Sequence, residues 1–306
     1  MNGQRIGVVG LGNMGGRIAR KITESGHPVL GHDRDPSRAT AVGATQASSL
    51  TETAEGSDVI LLSLPDSNAV EAVVLGDGGL LNSCRAGQII VDLTTASPQS
   101  SVGLAAALAE REITFLDAGV SGGAAAAEKG TLTVMVGGPR SAVDELGWLF
   151  GLFAAKVFPM GAAGSGHTTK LLNNFLNAVS LAATAEVMVA GRKAGLDLAA
   201  LLDVINAGSG VNFATLQRFP HIIEGDYLEG GLTGALMMKD VLLYVDHLRE
   251  LGVPSLNAAG PLASFGLANS TGYADRISNR VVDAIGDLSG GVRLHDSADE
   301  HNERHP

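Results

Sequence analysis

The sequence predicts an α/β fold, in which a doubly wound parallel sheet is followed by an all-α C-terminal domain with a long interdomain helix. Short β-branched runs alternate with Ala-rich helical segments in the first half of the chain, which is typical of parallel sheets with helices on both faces. From about Gly164 this strand pattern stops and long helical stretches follow. The length of 306 residues suggests about two domains.

Six strands are predicted in the first half, each a short run rich in Val, Ile and Leu. Their bounds are Arg5 to Val9, Val29 to His32, Val59 to Leu64, Gln88 to Leu93, Ile113 to Leu116 and Thr131 to Val136. After the first strand a helical stretch runs to Glu24, and Gly26 ends it. Gly103 to Glu110 also has helical spacing, so the segments between the strands supply the helices of the α/β domain.

Five helices are predicted in the second half. They run from Thr168 to Ala194, Leu198 to Asn206, Gly234 to Leu251, Ala258 to Asn269 and Ala274 to Ile285. The first of them would be about 40 Å long. Its apolar residues lie nearly all round, which predicts a buried helix.

The change of pattern sets the expected domain bounds. We expect an α/β domain over residues 1–162 and an all-helical domain over 163–286. Residues 287–306 are polar and rich in His, Asp and Glu, which predicts a disordered tail. His295, His301 and His305 lie in that tail, and we interpret them as part of a solvated terminus, so no metal is expected.

Charge and composition exclude several classes of function. The formal net charge is −11, whereas nucleic-acid binding normally needs a basic face. The longest apolar helix contains Asn173, Asn174, Asn177 and Glu186, which a membrane span would tolerate poorly. The chain begins without the features of a signal peptide. One cysteine, Cys84, excludes an intramolecular disulfide and suits a reducing cytoplasm.

A glycine triplet indicates a dinucleotide-binding turn of the Rossmann type. The segment Gly10-Leu11-Gly12-Asn13-Met14-Gly15 follows a predicted strand and opens a helix. In this pattern the glycines permit a tight turn, close approach of a pyrophosphate and close helix packing. Asp33 follows at the end of the second strand, where a carboxylate accepts hydrogen bonds from an adenosine ribose.

The residues after the second strand bear on the choice between NAD and NADP. The carboxylate of Asp33 repels a 2′-phosphate and favours NAD. Arg34 and Arg38 favour NADP, because arginines bind phosphate. Arg34 could instead stack over adenine. The sequence favours NAD and leaves NADP possible.

The segment from Gly164 to Asn174 holds the strongest catalytic candidate. Lys170 and Asn174 are four residues apart, which puts an amine and a carboxamide on one helix face. A buried lysine readily loses its proton, so it can act as an acid or a base. The alternative is a surface lysine whose stem covers apolar residues. His167 could contact substrate or phosphate, or could be a plain polar neighbour.

Four segments in order make the chain resemble the β-hydroxyacid dehydrogenase family of the 6-phosphogluconate dehydrogenase superfamily, which includes 3-hydroxyisobutyrate dehydrogenase and tartronate semialdehyde reductase. The resemblance extends from about Arg5 to about Ile285. The segments are the Gly10 to Gly15 turn, Asp117 to Gly123 followed by Gly130 to Gly138, Gly164 to Asn174, and Leu236 to Val241.

The resemblance implies an NAD(P)-dependent dehydrogenase of small β-hydroxy acids or their semialdehydes. It implies that Lys170 transfers the proton and that Asn174 orients the amine or the substrate. The family's carboxylate-binding stretch corresponds to Ser121, Gly122 and Gly123. The residues that correspond to the family's cofactor side are Leu64, Pro65, Thr95, Lys239 and Asp240. Asp240 could instead only hold the domain in place.

The resemblance also implies a homodimer or homotetramer formed through helices. Two departures bear on which acid is the substrate: Gly119 stands where relatives usually have proline, and Leu232 where they often have phenylalanine. Two alternatives remain. An imine reductase shares the architecture but usually replaces the lysine, and a non-catalytic dinucleotide-binding scaffold would be expected to lose it or to carry an extra binding domain.

Overall fold

The computed structural model describes residues 3–295. It contains an eight-stranded sheet with the strand order β3-β2-β1-β4-β5-β6-β7-β8. The strands are β1 (Ile6–Val9), β2 (Val29–His32), β3 (Thr45–Gln46), β4 (Val59–Leu62), β5 (Ile89–Asp92), β6 (Thr114–Ser121), β7 (Leu132–Gly137) and β8 (Ala154–Gly161). Neighbouring strands are parallel except for β6 and β7, so the predicted parallel sheet is confirmed with one antiparallel pair.

The central strands carry two cores because their side chains alternate between the faces of the sheet. In β4, Val59 and Leu61 pack in one core, and Ile60 and Leu62 pack in the other. All four are fully buried. A strand covered on both faces needs apolar residues at every position, which explains the continuous apolar runs in the sequence.

Helices of the sheet region connect and cover these strands. They are α1 (Asn13–Glu24), α2 (Ser37–Ala41), α3 (Leu50–Gly56), α4 (Ser67–Leu75), α5 (Leu80–Ser83), α6 (Pro98–Ala109), α7 (Gly123–Lys129), α8 (Arg140–Glu145) and α9 (Gly147–Phe150). Helix α10 (Ser165–Lys193) follows β8. The chain divides into an N-terminal unit, Met1–Leu171, and a C-terminal unit, Leu172–Pro306.

Two strands are not among those predicted. Strand β3 has only two residues, both exposed, so it has no periodic pattern to detect. Strand β8 contains Lys156 and Pro159 within an Ala-rich run, and proline disfavours a strand in the middle of a sheet. It forms because β8 pairs only with β7 at the edge, where proline is tolerated. Strand β6 also extends five residues beyond the predicted Leu116 to Ser121.

The C-terminal unit is helical. After α10 it contains α11 (Leu198–Ala207), α12 (Phe213–Gln217), α13 (Phe219–Ile222), α14 (Gly234–Leu251), α15 (Ala259–Ala268) and α16 (Val281–Leu288), with 3₁₀ turns at Leu256–Ala258 and Ser278–Arg280. One core joins residues of α10, α14, α15 and α16. The predicted all-helical character is therefore confirmed.

The predicted helix from Ala274 to Ile285 is wrong. A π-helical turn, Asn269–Tyr273, contains Gly272 with a non-helical φ of +96°, a conformation that glycine adopts without strain. Ile277 then forms an isolated antiparallel bridge with Thr233. The 3₁₀ turn Ser278–Arg280 follows, and helix α16 begins only at Val281.

The expectation of a disordered tail from Asp287 is wrong for residues 287–295. Asp287 lies inside α16, and Leu294 packs in the helical core. His295 Nε2 lies 3.2 Å from the hydroxyl of Tyr227. These contacts order the segment. Residues 296–306, including His301 and His305, lie outside the described residues, so the expectation for them stays a prediction.

The expectation that α10 is buried all round is also wrong. Leu172 is 45% exposed, Leu176 67% and Val187 47%. The three side chains lie four and eleven residues apart, which aligns them along one side of the helix. The opposite side packs in the helical core. Helix α10 therefore carries an exposed apolar stripe, defined here by Leu172, Leu176 and Val187.

Within residues 3–295, no helix is both long enough and apolar enough to cross a membrane. The same residues contain no group of three or more His, Cys, Asp and Glu side chains able to hold a metal ion.

Candidate active site

The cofactor candidates of the N-terminal unit lie at the carboxyl ends of adjacent parallel strands. Gly10 follows β1, Asp33 follows β2, and Leu64 with Pro65 follows β4, while Thr95 comes shortly after β5. Adjacent strands in register bring these loops to one edge of the sheet. Ligands of open α/β sheets bind at this edge.

The glycine turn has the geometry that a pyrophosphate requires. Gly10 has a φ of +89°, and a Cβ there would lie 2.2 Å from the Ser63 carbonyl oxygen. A Cβ on Gly15 would lie 2.0 Å from the Gly10 carbonyl oxygen, so neither position accepts a side chain. Gly12 caps α1 without a side chain, and the nearest atom to a Cβ there is 3.7 Å away. The turn thus fits a dinucleotide, whose phosphates would face the first N–H groups of α1 around Asn13 and Met14.

Asp33 has a structural contact that the sequence does not show. Its Oδ2 accepts a 2.7 Å hydrogen bond from the backbone N–H of Leu11, so the carboxylate holds the glycine turn in place. Arg38 Nη1 lies 3.5 Å from the same oxygen and offsets part of the negative charge. Arg34 is exposed. Asp33 is thus the candidate partner of an NAD ribose, and Arg34 and Arg38 are the candidate partners of a 2′-phosphate.

The loops after β4 and β5 contact each other. The Leu64 N–H donates a 3.0 Å hydrogen bond to Thr94 Oγ1, and the Thr94 N–H donates to Asp92 Oδ1. Leu64, Pro65 and Thr95 therefore belong to a hydrogen-bonded pair of loops beside the glycine turn.

The end of β6 forms a candidate anion nest. Ser121 is the last residue of the strand and is half-buried. Gly122 and Gly123 follow with φ values of +125° and +69°, which are strained for any residue with a side chain. Gly122 caps α7, and no side chain occupies the cap. A hydroxyl and consecutive N–H groups at a turn with positive φ values can bind a carboxylate.

Lys170 lies directly against β6. A Cβ on Gly119 would lie 2.6 Å from Lys170 Cβ and 3.1 Å from its Cγ, so the strand and the lysine stem touch because Gly119 has no side chain. Lys170 is only 9% exposed, which disagrees with the alternative of a surface lysine. Ser121 is two residues beyond Gly119 and on the same face of the strand.

Asp117 is a site residue whose role the sequence does not indicate. Its carboxylate, which is fully buried, accepts hydrogen bonds from the N–H groups of Gly164 at 2.7 Å and His167 at 2.8 Å. Burial raises the pKa of the Asp117 carboxyl, and these hydrogen bonds oppose the shift. The carboxylate thereby anchors the start of α10, three residues before Lys170.

His167 has a structural position. It is fully buried, with Nδ1 2.7 Å from Ser101 Oγ and Nε2 3.3 Å from the Asp92 carbonyl oxygen. These contacts tie α10 to α6 and to the end of β5. Of the two interpretations of His167, the polar neighbour agrees with this geometry.

In the C-terminal unit, Asn174 and Asp240 form a buried pair. Asn174 Nδ2 donates a 2.6 Å hydrogen bond to Asp240 Oδ2, and the residues are 5% and 2% exposed. Lys239 Nζ lies 3.1 Å from Asp240 Oδ1, so these neighbouring side chains meet although their Cβ atoms point apart. Asp240 holds the Asn174 carboxamide rather than acting only as a packing residue.

Two family models match consecutive parts of the chain. The NAD-binding domain of 6-phosphogluconate dehydrogenase matches residues 5–161. The NAD-binding domain of NADP-dependent 3-hydroxyisobutyrate dehydrogenase matches residues 164–284. Together they span the strands and helices that carry every candidate residue described above.

Individual proteins that are similar to this chain in sequence or structure include hydroxyacid dehydrogenases. The chain is 34% identical to 2-(hydroxymethyl)glutarate dehydrogenase of Eubacterium barkeri over 253 residues, covering 82% of this chain and 84% of the relative. A structure of Mycobacterium tuberculosis 3-hydroxyisobutyrate dehydrogenase with L-serine has a TM-score of 0.83 and 28% identity, covering 92% and 99% of the two chains. A Streptomyces aurantiacus imine reductase, 22% identical with a TM-score of 0.62 and a coverage of 91% and 98%, shares the fold.

Proposed function

The chain belongs to the β-hydroxyacid dehydrogenase family, and we propose that Lys170 is the proton-transferring residue of its reaction. The protein is an NAD(P)-dependent oxidoreductase acting on a small β-hydroxy acid or the corresponding semialdehyde. The bound cofactor accepts or supplies the hydride, and the protein supplies position and a proton.

One arrangement carries the proposal: Lys170 is buried against Gly119, and Ser121 lies further along the same face of β6. A strand rises about 3.3 Å per residue, so Ser121 is roughly 7 Å beyond Gly119. A small hydroxy acid can span that distance. The substrate carboxylate binds the Ser121 hydroxyl and the N–H groups of Gly122 and Gly123, which turns its hydroxyl group toward the amine.

Proton transfer then follows the direction of the reaction. In oxidation, the neutral amine of Lys170 removes the hydroxyl proton while the carbinol carbon becomes a carbonyl. In reduction, the ammonium returns the proton to the new alkoxide oxygen. Asn174, one turn later on α10, orients the reacting group, and its own orientation is set by Asp240.

The preferred cofactor is NAD. Asp33 supports this because its carboxylate lies beside the glycine turn and would repel a 2′-phosphate. The cofactor-binding groups are the Gly10 to Gly15 turn, Asp33 and Arg34, the loop residues Leu64, Pro65 and Thr95, and Lys239 with Asp240.

The test is a spectrophotometric screen of NAD and NADP against small β-hydroxy acids, with Lys170→Ala as the key variant. Loss of a general acid–base catalyst lowers kcat by about 10²–10⁴-fold. Lys170→Arg should not restore activity, because arginine stays protonated. The oxidation rate of the wild type should rise with pH as the amine loses its proton, and the alanine variant should lack this rise.

A lysine at the other end of the same helix provides the control. Lys193 Nζ donates to the Ser289 carbonyl oxygen, and Lys193→Ala should keep the wild-type kcat. Near-wild-type kcat in a folded Lys170→Ala protein would show that Lys170 is structural. Turnover of a cyclic imine, but of no hydroxy acid, would favour the imine reductase alternative.

The protein is cytoplasmic. It assembles as a homodimer or homotetramer through its helices. The exposed apolar stripe of α10 supports this, because water-exposed Leu and Val in a row mark a protein interface. Leu176→Glu should reduce the mass measured by light scattering at micromolar concentration. Leu288→Glu, at an equally exposed leucine on α16, should not. A wild-type monomer would contradict the assembly.

A further inference from the structure

One face of strand β6 carries three residues at alternate positions beside the start of α10. Asp117, Gly119 and Ser121 are two residues apart on the strand, so their side-chain positions point to the same side of the sheet. Helix α10 begins against this face, where its first N–H groups bond Asp117. Lys170 belongs to the N-terminal unit, as β6 does, so the strand and the lysine lie in one structural unit.

The two carboxylate oxygens of Asp117 hold the start of α10 at two points. Oδ1 accepts a hydrogen bond from the Gly164 N–H at 2.7 Å, and Oδ2 accepts one from the His167 N–H at 2.8 Å. Because each oxygen faces its own donor, the isosteric amide of asparagine would put an NH₂ group against one of the two N–H groups. Both bonds therefore form only with a carboxylate at position 117.

The charge of this carboxylate is unfavourable where it lies. Asp117 is fully buried, and the buried Asp92 is its neighbour in register on β5. Burial raises the pKa of the Asp117 carboxyl, and neighbouring carboxylates disfavour each other's ionised form. The N–H groups at the start of a helix favour a negative charge beside them. The carboxylate and the start of α10 thus stabilise each other.

The first turn of α10 lies against the sheet without an intervening side chain. A Cβ on Gly166 would overlap the carbonyl oxygens of Asp117 and Met135. A Cβ on Gly137, which pairs with Asp117 on β7, would lie 2.5 Å from Asp117 Oδ1. Lys170 follows Gly166 by four residues on α10, about one helical turn. Its position therefore depends on how this turn is held.

Gly119 sets how closely Lys170 approaches the strand. A Cβ at position 119 would lie 2.6 Å from Lys170 Cβ and 3.3 Å from the Gly166 carbonyl oxygen. Rotation of the lysine side chain moves neither atom, because Cβ is attached directly to the helix backbone. A side chain at position 119 would therefore push the start of α10, and Lys170 with it, away from β6.

We infer that Asp117 and Gly119 are positioning residues of the proposed reaction: the carboxylate fixes the start of α10, and the glycine lets Lys170 lie against β6. Proton transfer requires the amine within about 2.6–3.2 Å of the substrate hydroxyl, and a misplacement of about 1 Å can lower the rate roughly 10²-fold. The groups proposed to bind the substrate carboxylate and the dinucleotide are different ones. This inference rests on the proposed role of Lys170.

Asp117→Asn and Gly119→Ala test the inference with the β-hydroxy acid that the wild type turns over fastest. Each variant should lower kcat by about 10–100-fold, whereas KM and the Kd of NAD should stay close to the wild-type values. Steady-state kinetics and fluorescence titration measure these quantities. A merely structural role would lower the melting temperature but leave the kcat of the folded protein unchanged.

A double-mutant cycle with Lys170→Ala is the decisive measurement. If Asp117 and Gly119 act through Lys170, adding either change to Lys170→Ala should lower the residual kcat no further. Losses that multiply in the double variants would show that the two residues act independently of the lysine, and would overturn the inference.

Two matched substitutions provide the controls. Asp197 also accepts hydrogen bonds from two backbone N–H groups at a helix start, and Asp197→Asn should keep the wild-type kcat. Gly103→Ala should keep it as well, because a Cβ on Gly103 meets no atom within 4 Å. If Asp117→Asn fails to fold, as judged by circular dichroism, Gly119→Ala decides, since it leaves the carboxylate in place.

The outcomes also separate this inference from the proposed function. A loss of kcat in Lys170→Ala, together with wild-type kcat in folded Asp117→Asn or Gly119→Ala, overturns the inference alone. Wild-type kcat in folded Lys170→Ala overturns the proposed function and the inference with it.

Discussion

The amide nitrogen Nδ2 of Asn174 donates a 2.6 Å hydrogen bond to Oδ2 of Asp240. Because both residues are buried, the carboxylate fixes which end of the carboxamide points toward it. Asn174 Oδ1 is thereby directed away from Asp240. It accepts a 3.4 Å hydrogen bond from Asn173 Nδ2. A buried acidic residue on α14 thus sets the orientation of the candidate residue on α10.

Asp240→Asn should lower kcat by about tenfold, because the Asn174 amide loses a charged acceptor, and hydrogen bonds to charged groups are worth roughly 1.5–3 kcal/mol. Combining Asp240→Asn with Asn174→Ala should cost little more than either change alone, since the two residues act as one unit. Steady-state kinetics of the double-mutant cycle measure this coupling. Asp246→Asn, an exposed change on the same helix, is the control, and additive losses would disprove the coupling.

Ser121→Ala should raise KM more than it lowers kcat. In the proposed complex the hydroxyl contacts the substrate carboxylate equally in the ground state and the transition state, so its loss weakens uniform binding. Comparing the free acid with its methyl ester in the wild type tests the same contact from the substrate side. An ester turned over as efficiently as the acid would refute the anion nest at Ser121, Gly122 and Gly123.

Asp33→Ala should weaken NAD binding and reduce the discrimination against NADP. The change removes the proposed ribose acceptor, a charge that repels phosphate and the contact to the Leu11 N–H. Dissociation constants of both cofactors, measured by fluorescence, give the result. Asp35→Ala removes an exposed carboxylate of the same loop and should change the affinities less. A wild type that prefers NADP would mean that Arg34 and Arg38 dominate the selectivity.

Stability should depend on pH through Asp58. Hydrogen bonds from Arg5 hold the pKa of the Asp58 carboxyl below its usual value. A lowered pKa in the folded state stabilises the protein above the unfolded pKa, and the effect is lost as pH falls through the folded pKa. Asp58→Asn should therefore cost about 1–2 kcal/mol at pH 7 and progressively less below pH 3.8.

Urea denaturation at several pH values measures the difference between the wild type and Asp58→Asn. Asp144→Asn is the control, because Asp144 forms an exposed pair with Arg140, and such pairs contribute about 0–1 kcal/mol. If the difference in unfolding free energy between the wild type and Asp58→Asn is the same at pH 7 and below pH 3.8, the assignment is contradicted.

Local patterns determined much of the fold. Helix α14 begins and ends at the predicted residues, Gly234 and Leu251. Thr233 caps its first turn, and Gly252, which has a positive φ, ends it. The glycine turn at Gly10 was recognisable since its chemistry is contained in six consecutive residues. Lys170 and Asn174 were recognisable for the same reason, because one helical turn separates them.

Contacts between distant segments were decided only by the tertiary structure. Asp117 anchors Gly164 across 47 residues of sequence, and no local pattern marks a strand aspartate as a helix cap. Strand β8 contains a proline and forms only because the sheet leaves an edge for it. The apolar stripe of α10 is exposed because the C-terminal core covers only the other side of that helix.

The sequence alone determined the cofactor turn, the helix with its lysine and the order of the elements, because these depend on neighbours along the chain. The tertiary structure decided which side chains neutralise, cap or orient one another. The contact of Asp240 with Asn174 is a consequence of packing distant helices together. Charge balance in a folded protein depends on such three-dimensional neighbours, and the sequence does not specify them locally.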